Sequence, residues 1–185
     1  MNYTHHRHLK RLPPEFYQGQ ACVHWCLSIE DRKTGWLIPI FYYKFRELIT
    51  HTMFRYGLCC PIFCLMPDHM HLLWLGICDR ANQQLAMKYL RKQLKPLLVM
   101  LGAFVQDQTY DHVLQEDERQ PIAFQNIVEY IARNPERKNL VPVDGFREYP
   151  YTSCLVPGYP DLKPFQDDFW SLFDRLCGKL RSEWS

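Results

Sequence analysis

The chain lacks several features that would sort it at once. Its eight cysteines include no Cys-x-x-Cys pair, which excludes a four-cysteine zinc ribbon. Most of them sit inside apolar runs such as Cys59-Cys60-Pro61-Ile62-Phe63-Cys64, where a thiol packs as a small hydrophobe. No apolar run approaches the ~20 residues a membrane-spanning helix needs, and no apolar segment of the signal-peptide kind opens the chain. The expectation is a cytoplasmic protein with reduced thiols and no membrane partner. Net charge is only +2. That is too little for a protein that coats duplex DNA, so any nucleic-acid contact must come from a local patch. There is no internal repeat.

What remains is an ordinary globular composition over 185 residues, 47% hydrophobic and 23% charged, enough for one domain with a true core. The first 20 residues are polar, with His5, His6, Arg7, His8, Lys10 and Arg11 ahead of Leu12-Pro13-Pro14, and read as a solvated arm. Strands are expected over Gln20–Ile29, Cys59–Met66 and His69–Leu75, the second apolar throughout and therefore central. Weaker strands are expected over Thr109–Leu114 and Leu140–Val143. Helices are expected over 39–57, closed by Gly57, over 82–101, with Pro96 kinking it or ending it early, and over 119–134. A terminal helix is expected over 165–180. The order β, α, β, β, α, β with added helices predicts an α+β, ferredoxin-like antiparallel sheet covered by helices.

Two stretches carry charge or chemistry within this frame. Lys88, Arg91, Lys92 and Lys95 recur at i, i+3, i+4 and i+7, a basic stripe that is either a solvated face or a seat for a phosphodiester backbone. Between Leu65 and Leu75, His69 and His71 stand one residue apart. On a strand the side-chain period of two puts both imidazoles on one face, where they can begin a metal site. A His-x-His pair alone is also compatible with two ordinary strand histidines. The polar face of the 119–134 helix then presents Tyr130, Arg133, Asn134 and, beyond it, Arg137. Tyr130 can act as a nucleophile, Asn134 can offer an amide oxygen as a third ligand, and the two arginines can hold phosphates. Asn126 has no comparable role. These pieces suit metal-assisted attack on a phosphodiester.

The segment Met66-Pro67-Asp68-His69-Met70-His71-Leu72-Leu73-Trp74 resembles the HUH motif of single-tyrosine transposases of the IS200 type. Tyr110-Asp111-His112-Val113-Leu114 is similar to their tyrosine-aspartate-histidine segment. Tyr130-Ile131-Ala132-Arg133-Asn134-Pro135 resembles the tyrosine helix of the REP-associated branch, and Glu148-Tyr149-Pro150-Tyr151-Thr152-Ser153 the element after it. A JAMM-type metal hydrolase also uses His-x-His, but it follows the pair with proline where this chain has Leu72.

The resemblance implies a catalytic domain over 21–155 between the 1–20 arm and a helical extension over 156–185. It implies His69, His71 and Asn134 as ligands to Mg²⁺ or Mn²⁺, and Tyr130 as the nucleophile. The implied reaction is cleavage and rejoining of single-stranded DNA or hairpins with inverted repeats, by a monomer or homodimer. The basic residues Lys88, Arg91, Lys92, Lys95, Arg133 and Arg137, read from their spacing, are the expected DNA contacts. The alternative is a domesticated hairpin-binding protein that transfers no strand. Against the pattern, Asp68 replaces the more usual asparagine, Lys138-Asn139 a small residue and glycine, and Tyr151 a tryptophan. Asn139 can still adopt the left-handed turn a glycine would. His112 is expected to bond to Asp111, with metal ligation as the other possibility.

Overall fold

The computed structural model describes residues 11–159 and 162–184. The basic and histidine-rich start, His5 to Lys10, lies outside the described residues. Five antiparallel strands form one sheet in the order β4-β1-β3-β2-β5. They are β1 (Cys22–Ser28), β2 (Leu58–Met66), β3 (His69–Gly76), β4 (Tyr110–Val113) and β5 (Thr152–Leu155). The helices are α1 (Pro39–Tyr56), α2 (Gln83–Met100), α3 (Pro121–Ala132), the single turn α4 (Asn134–Arg137) and α5 (Phe169–Trp184). The chain is therefore α+β, an antiparallel sheet with helices packed on it and one more helix at the C-terminal end, as expected.

Strand alternation divides the core in two. Trp25, Leu27, Phe63, Leu65, Leu72 and Trp74 point to one face, which α1 and α2 seal with Phe41, Phe45, Ile49, Leu90 and Leu94. Each such side chain taken from water contributes roughly 1.5–3 kcal/mol, and this face holds most of them. Two polar side chains are buried with them, Thr52, which donates to the Leu48 carbonyl within α1, and Gln83. The amide of Gln83 reaches across elements. It accepts a hydrogen bond from Trp25 Nε1 at 3.1 Å and donates to the carbonyls of Ala21 (2.7 Å) and Trp74 (3.2 Å). Satisfied in this way, it ties the start of α2 to β1 and β3. The opposite face carries Cys22, Ile62, Cys64, Met66 and Leu73 under Val128 and Ile131 of α3.

Several expectations are corrected. No strand forms at Leu140–Val143, where Pro142 has no N–H to give a ladder and Val143 is 85% exposed. The fifth strand is Thr152–Leu155, on the outer edge of β2. Pro96 does not end its helix, because buried Leu94 and Leu98 on either side hold the helix against the sheet to Met100. The 119–134 helix starts at Pro121 and breaks at Arg133 before the separate turn that holds buried Pro135. The polar start is not wholly solvated: Tyr17 is fully buried, and Gly19 donates to the carbonyl of Ala81. Gly57 (φ 66°) and Asn139 (φ 53°) both take the left-handed turns expected of them.

The C-terminal helix packs on Cys59, Ile77 and Cys154. Cys59 pairs with Leu75, at the far end of the β2–β3 ladder from Met66 and His69. Seven strand residues separate the two ends, about 20 Å. The helix core of α5 thus lies away from the histidines.

Candidate active site

The link Pro67-Asp68 is a tight turn, so β3 starts directly opposite the end of β2, with His69 paired to Met66 and to Ser28 of β1. Period-two alternation sends His69 and His71 to the less covered face, alongside His24, Cys26, Cys64 and Met66. Both imidazoles are nearly enclosed, at 7% and 9% exposure. Their Nε2 atoms face each other at 3.0 Å. The other ring nitrogens are held from behind: His69 Nδ1 donates to Asp68 Oδ1 at 2.6 Å, and His71 Nδ1 lies 3.0 Å from Nε2 of His24. Arg32 in turn donates to the second Asp68 oxygen at 3.3 Å.

Burial sets the charge of this cluster. It drives His71 down to about 2, helped by His24, His69 and Arg137, and drives His24 down to about 4, helped by His112. His69 is lowered as well, by burial against the opposing pull of Asp68. All three rings are neutral at physiological pH, which is the form that ligates a metal.

Tyr130 lies on the solvent side of α3, 52% exposed. The guanidinium of Arg137 sits 4.0 Å over its ring and donates to the Tyr130 carbonyl at 2.8 Å. The same Arg137 is one of the charges that depress His71, and Lys138 acts likewise on His69. One arginine therefore contacts the tyrosine and lies within electrostatic reach of His71. Asn134 spends its amide nitrogen on the carbonyls of Tyr130 (3.1 Å) and Ile131 (2.9 Å), so Oδ1 is the atom it retains for ligation.

The remaining residues expected to meet DNA divide sharply. Lys88, Lys92 and Lys95 are exposed along α2. Arg91 is turned inward and donates to the carbonyls of Gln106 and Asp107 (2.7 Å each) and to Thr109 Oγ1 (3.0 Å), pinning the loop ahead of β4. Arg133 is engaged by Glu129 (2.7 Å), Glu136 (2.8 Å) and Asp144 (3.1 Å), and its guanidinium lies over Phe146. Three carboxylates raise its pKa and neutralise the charge a phosphate would seek. The spacing of Glu129 at i−4 and Glu136 at i+3 is the signal for that engagement.

His112 does not bond to Asp111. Neighbouring strand residues face opposite ways, so His112 meets Glu118 at 2.8 Å while Asp111 receives Tyr17 Oη and Arg11 on the other side.

The pair suits a divalent ion, since two neutral imidazoles converge through Nε2 while both Nδ1 atoms are tied away from the gap. Among the described residues no three His, Cys, Asp or Glu side chains gather to hold a metal. Further ligands would have to come from an amide oxygen or from substrate. Sequence reasoning missed His24, although its place on β1, two residues from Cys22 and Cys26, makes it share their face.

No protein-family model matches the chain, and no curated protein matches it. Among solved structures, a REP-associated tyrosine transposase bound to a REP hairpin superposes on 80% of this chain and 82% of its own, with a TM-score of 0.62 at 17% identity. The two share a fold. A candidate transposase from Deinococcus radiodurans R1 aligns over 66% of this chain and 98% of its own, at 15% identity and a TM-score of 0.44. That second likeness is too loose to bear on the fold.

Proposed function

We propose that this protein is a metal-dependent single-stranded DNA endonuclease and transposase, which cleaves and rejoins strands at hairpin-flanked sites through a phosphotyrosine. The observation that carries the reading is the convergence of His69 and His71, whose Nε2 atoms stand 3.0 Å apart while both Nδ1 atoms are tied away from the gap. Arg137, over the Tyr130 ring and within electrostatic reach of His71, connects the pair to the phenol. The fold shared with a hairpin-bound transposase supports the substrate class.

Mg²⁺ or Mn²⁺, held by His69, His71 and the amide oxygen of Asn134, would neutralise charge on the scissile phosphate. The chain's own groups do the rest. Tyr130 Oη attacks phosphorus in line, its proton passes to solvent, and the 3′ oxygen leaves as a hydroxyl after taking a proton. The 5′ end stays on the tyrosine until a second 3′-hydroxyl reverses the step. Arg137 screens the phosphate charge. Exposed Lys88, Lys92 and Lys95 lie on α2, which covers the sheet face opposite the histidines, and supply sequence-independent affinity to DNA that continues round the sheet edge.

The test mixes purified protein with labelled hairpin single strands and Mn²⁺ or Mg²⁺, and resolves the products on a denaturing gel. A covalent protein–DNA adduct is expected, absent in Tyr130→Phe. An adduct undiminished in Tyr130→Phe, or none with any single-stranded substrate, overturns the proposal. Full binding without cleavage would identify a hairpin-binding protein that transfers no strand.

A further inference from the structure

We propose that His24 is a positioning residue for His71, accepting the His71 Nδ1–H when the metal is bound and donating its own Nε2–H when the site is empty. The inference rests on the proposed function, because it gives the histidine pair a metal to hold.

The argument is a count of protons along one chain of atoms. Asp68 is a carboxylate paired with Arg32, so the 2.6 Å contact with His69 is made by His69 Nδ1–H. A neutral ring carries one N–H, which leaves a lone pair on His69 Nε2. The 3.0 Å approach of His71 Nε2 to that lone pair needs a proton between them, and it belongs to His71. His71 Nδ1 is then an acceptor, and the 3.0 Å contact behind it is filled by His24 Nε2–H. Every nitrogen between Asp68 and His24 Nε2 is satisfied in this empty form.

A metal between the two Nε2 atoms needs both lone pairs. His69 already presents its own. His71 must move its proton from Nε2 to Nδ1, and a buried N–H without an acceptor is unfavourable. His24 supplies the acceptor by moving its own proton from Nε2 to Nδ1 and accepting at Nε2, which shifts the N–H from enclosed His71 to the half-buried ring of His24. Two protons change nitrogen, and none is gained or lost. His24 lies on β1 opposite Leu73, diagonal to His71, and the sheet backbone keeps its ring beside His71 whichever tautomer is present. An apolar residue there would leave His71 able to bond in the empty form only.

The test combines ring-nitrogen NMR with metal titration. In protein with ¹⁵N-labelled histidine, His71 and His24 are expected as Nε2–H tautomers without metal, and both as Nδ1–H tautomers with Mg²⁺. In His24→Leu, Mn²⁺ affinity read by electron paramagnetic resonance is expected to fall roughly 10–100-fold. His24→Gln can both donate and accept, and is expected to recover most of that loss. Melting temperatures of the metal-free variants report folding separately, and the NMR experiment on the unaltered chain decides the matter even if His24→Leu fails to fold. Unchanged tautomers on Mg²⁺ addition, or His24→Leu binding Mn²⁺ as tightly as the parent, overturns the proposal. An unaltered protein that takes up no Mn²⁺ or Mg²⁺ overturns the proposed function itself, and this inference with it.

Discussion

The two faces of the sheet are built to different rules. On the face under α1 and α2, large apolar side chains interlock and the single buried amide, Gln83, has a partner for each polar atom. On the other face, α3 and α5 cover the β2 side with smaller clusters, and the strip of β1 and β3 that carries His24, Cys26, His69 and His71 stays outside those clusters. One face spends its residues on stability. The other holds neutral imidazoles beside arginine and lysine, an arrangement that adds little to folding and can bind a metal and a phosphate. The same strands serve both, because alternation lets one residue pack while its neighbour performs chemistry.

The sharpest way to break this comparison is to cut equal bulk from each face. Phe45→Ala, fully buried under the sheet, is expected to cost about 3–5 kcal/mol in chemical denaturation. His71→Ala is expected to cost much less, while abolishing cleavage and preserving much of the DNA binding. A His71 variant as destabilised as the Phe45 variant would mean that both faces are structural. Gln83→Leu is the next largest effect. It keeps the volume but leaves Trp25 Nε1 unpaired and takes a donor from the carbonyls of Ala21, which keeps the Gly76 N–H, and Trp74, for an expected loss of about 2 kcal/mol by the same measurement, with metal affinity unchanged.

The legibility of the sequence follows the same division. The packed face was readable, because apolar residues at helical and strand periods mark α1, α2, β2 and β3 without knowledge of what they touch. The edge strand was not. Thr152–Leu155 is four residues long and follows a Tyr-Pro-Tyr turn, so its pairing with β2 exists only in three dimensions. At the site, the residue types were visible and their partners mostly were not. His69, His71 and Tyr130 stand out by motif, but His24 gains a role only through the β1–β3 register. Arg133 shows the opposite case: its partners Glu129 and Glu136 stand in plain view at helical spacing.

The basic stripe on α2 carries the contrast to a finer scale, because one helix presents both kinds of cation. Arg91→Ala breaks three hydrogen bonds to the 106–109 loop, and roughly 2 kcal/mol of stability is expected to go with them. Any loss of DNA affinity in that variant comes through a loosened loop, so the salt dependence of binding should keep its slope.

Lys92→Ala is expected to do the reverse. Its ammonium is exposed, so folding stability should stay within about 0.5 kcal/mol. If Lys92 sits on a phosphate, its removal spares the release of about one counterion. The plot of log affinity against log salt then flattens by about one unit of slope, whatever the DNA sequence. Binding measured across a salt series, for a hairpin and for an unrelated single strand, separates the two cations of this helix. An unchanged slope in Lys92→Ala would reduce the stripe to a solvated face and move the source of affinity to the Arg137–Lys138 side of the site.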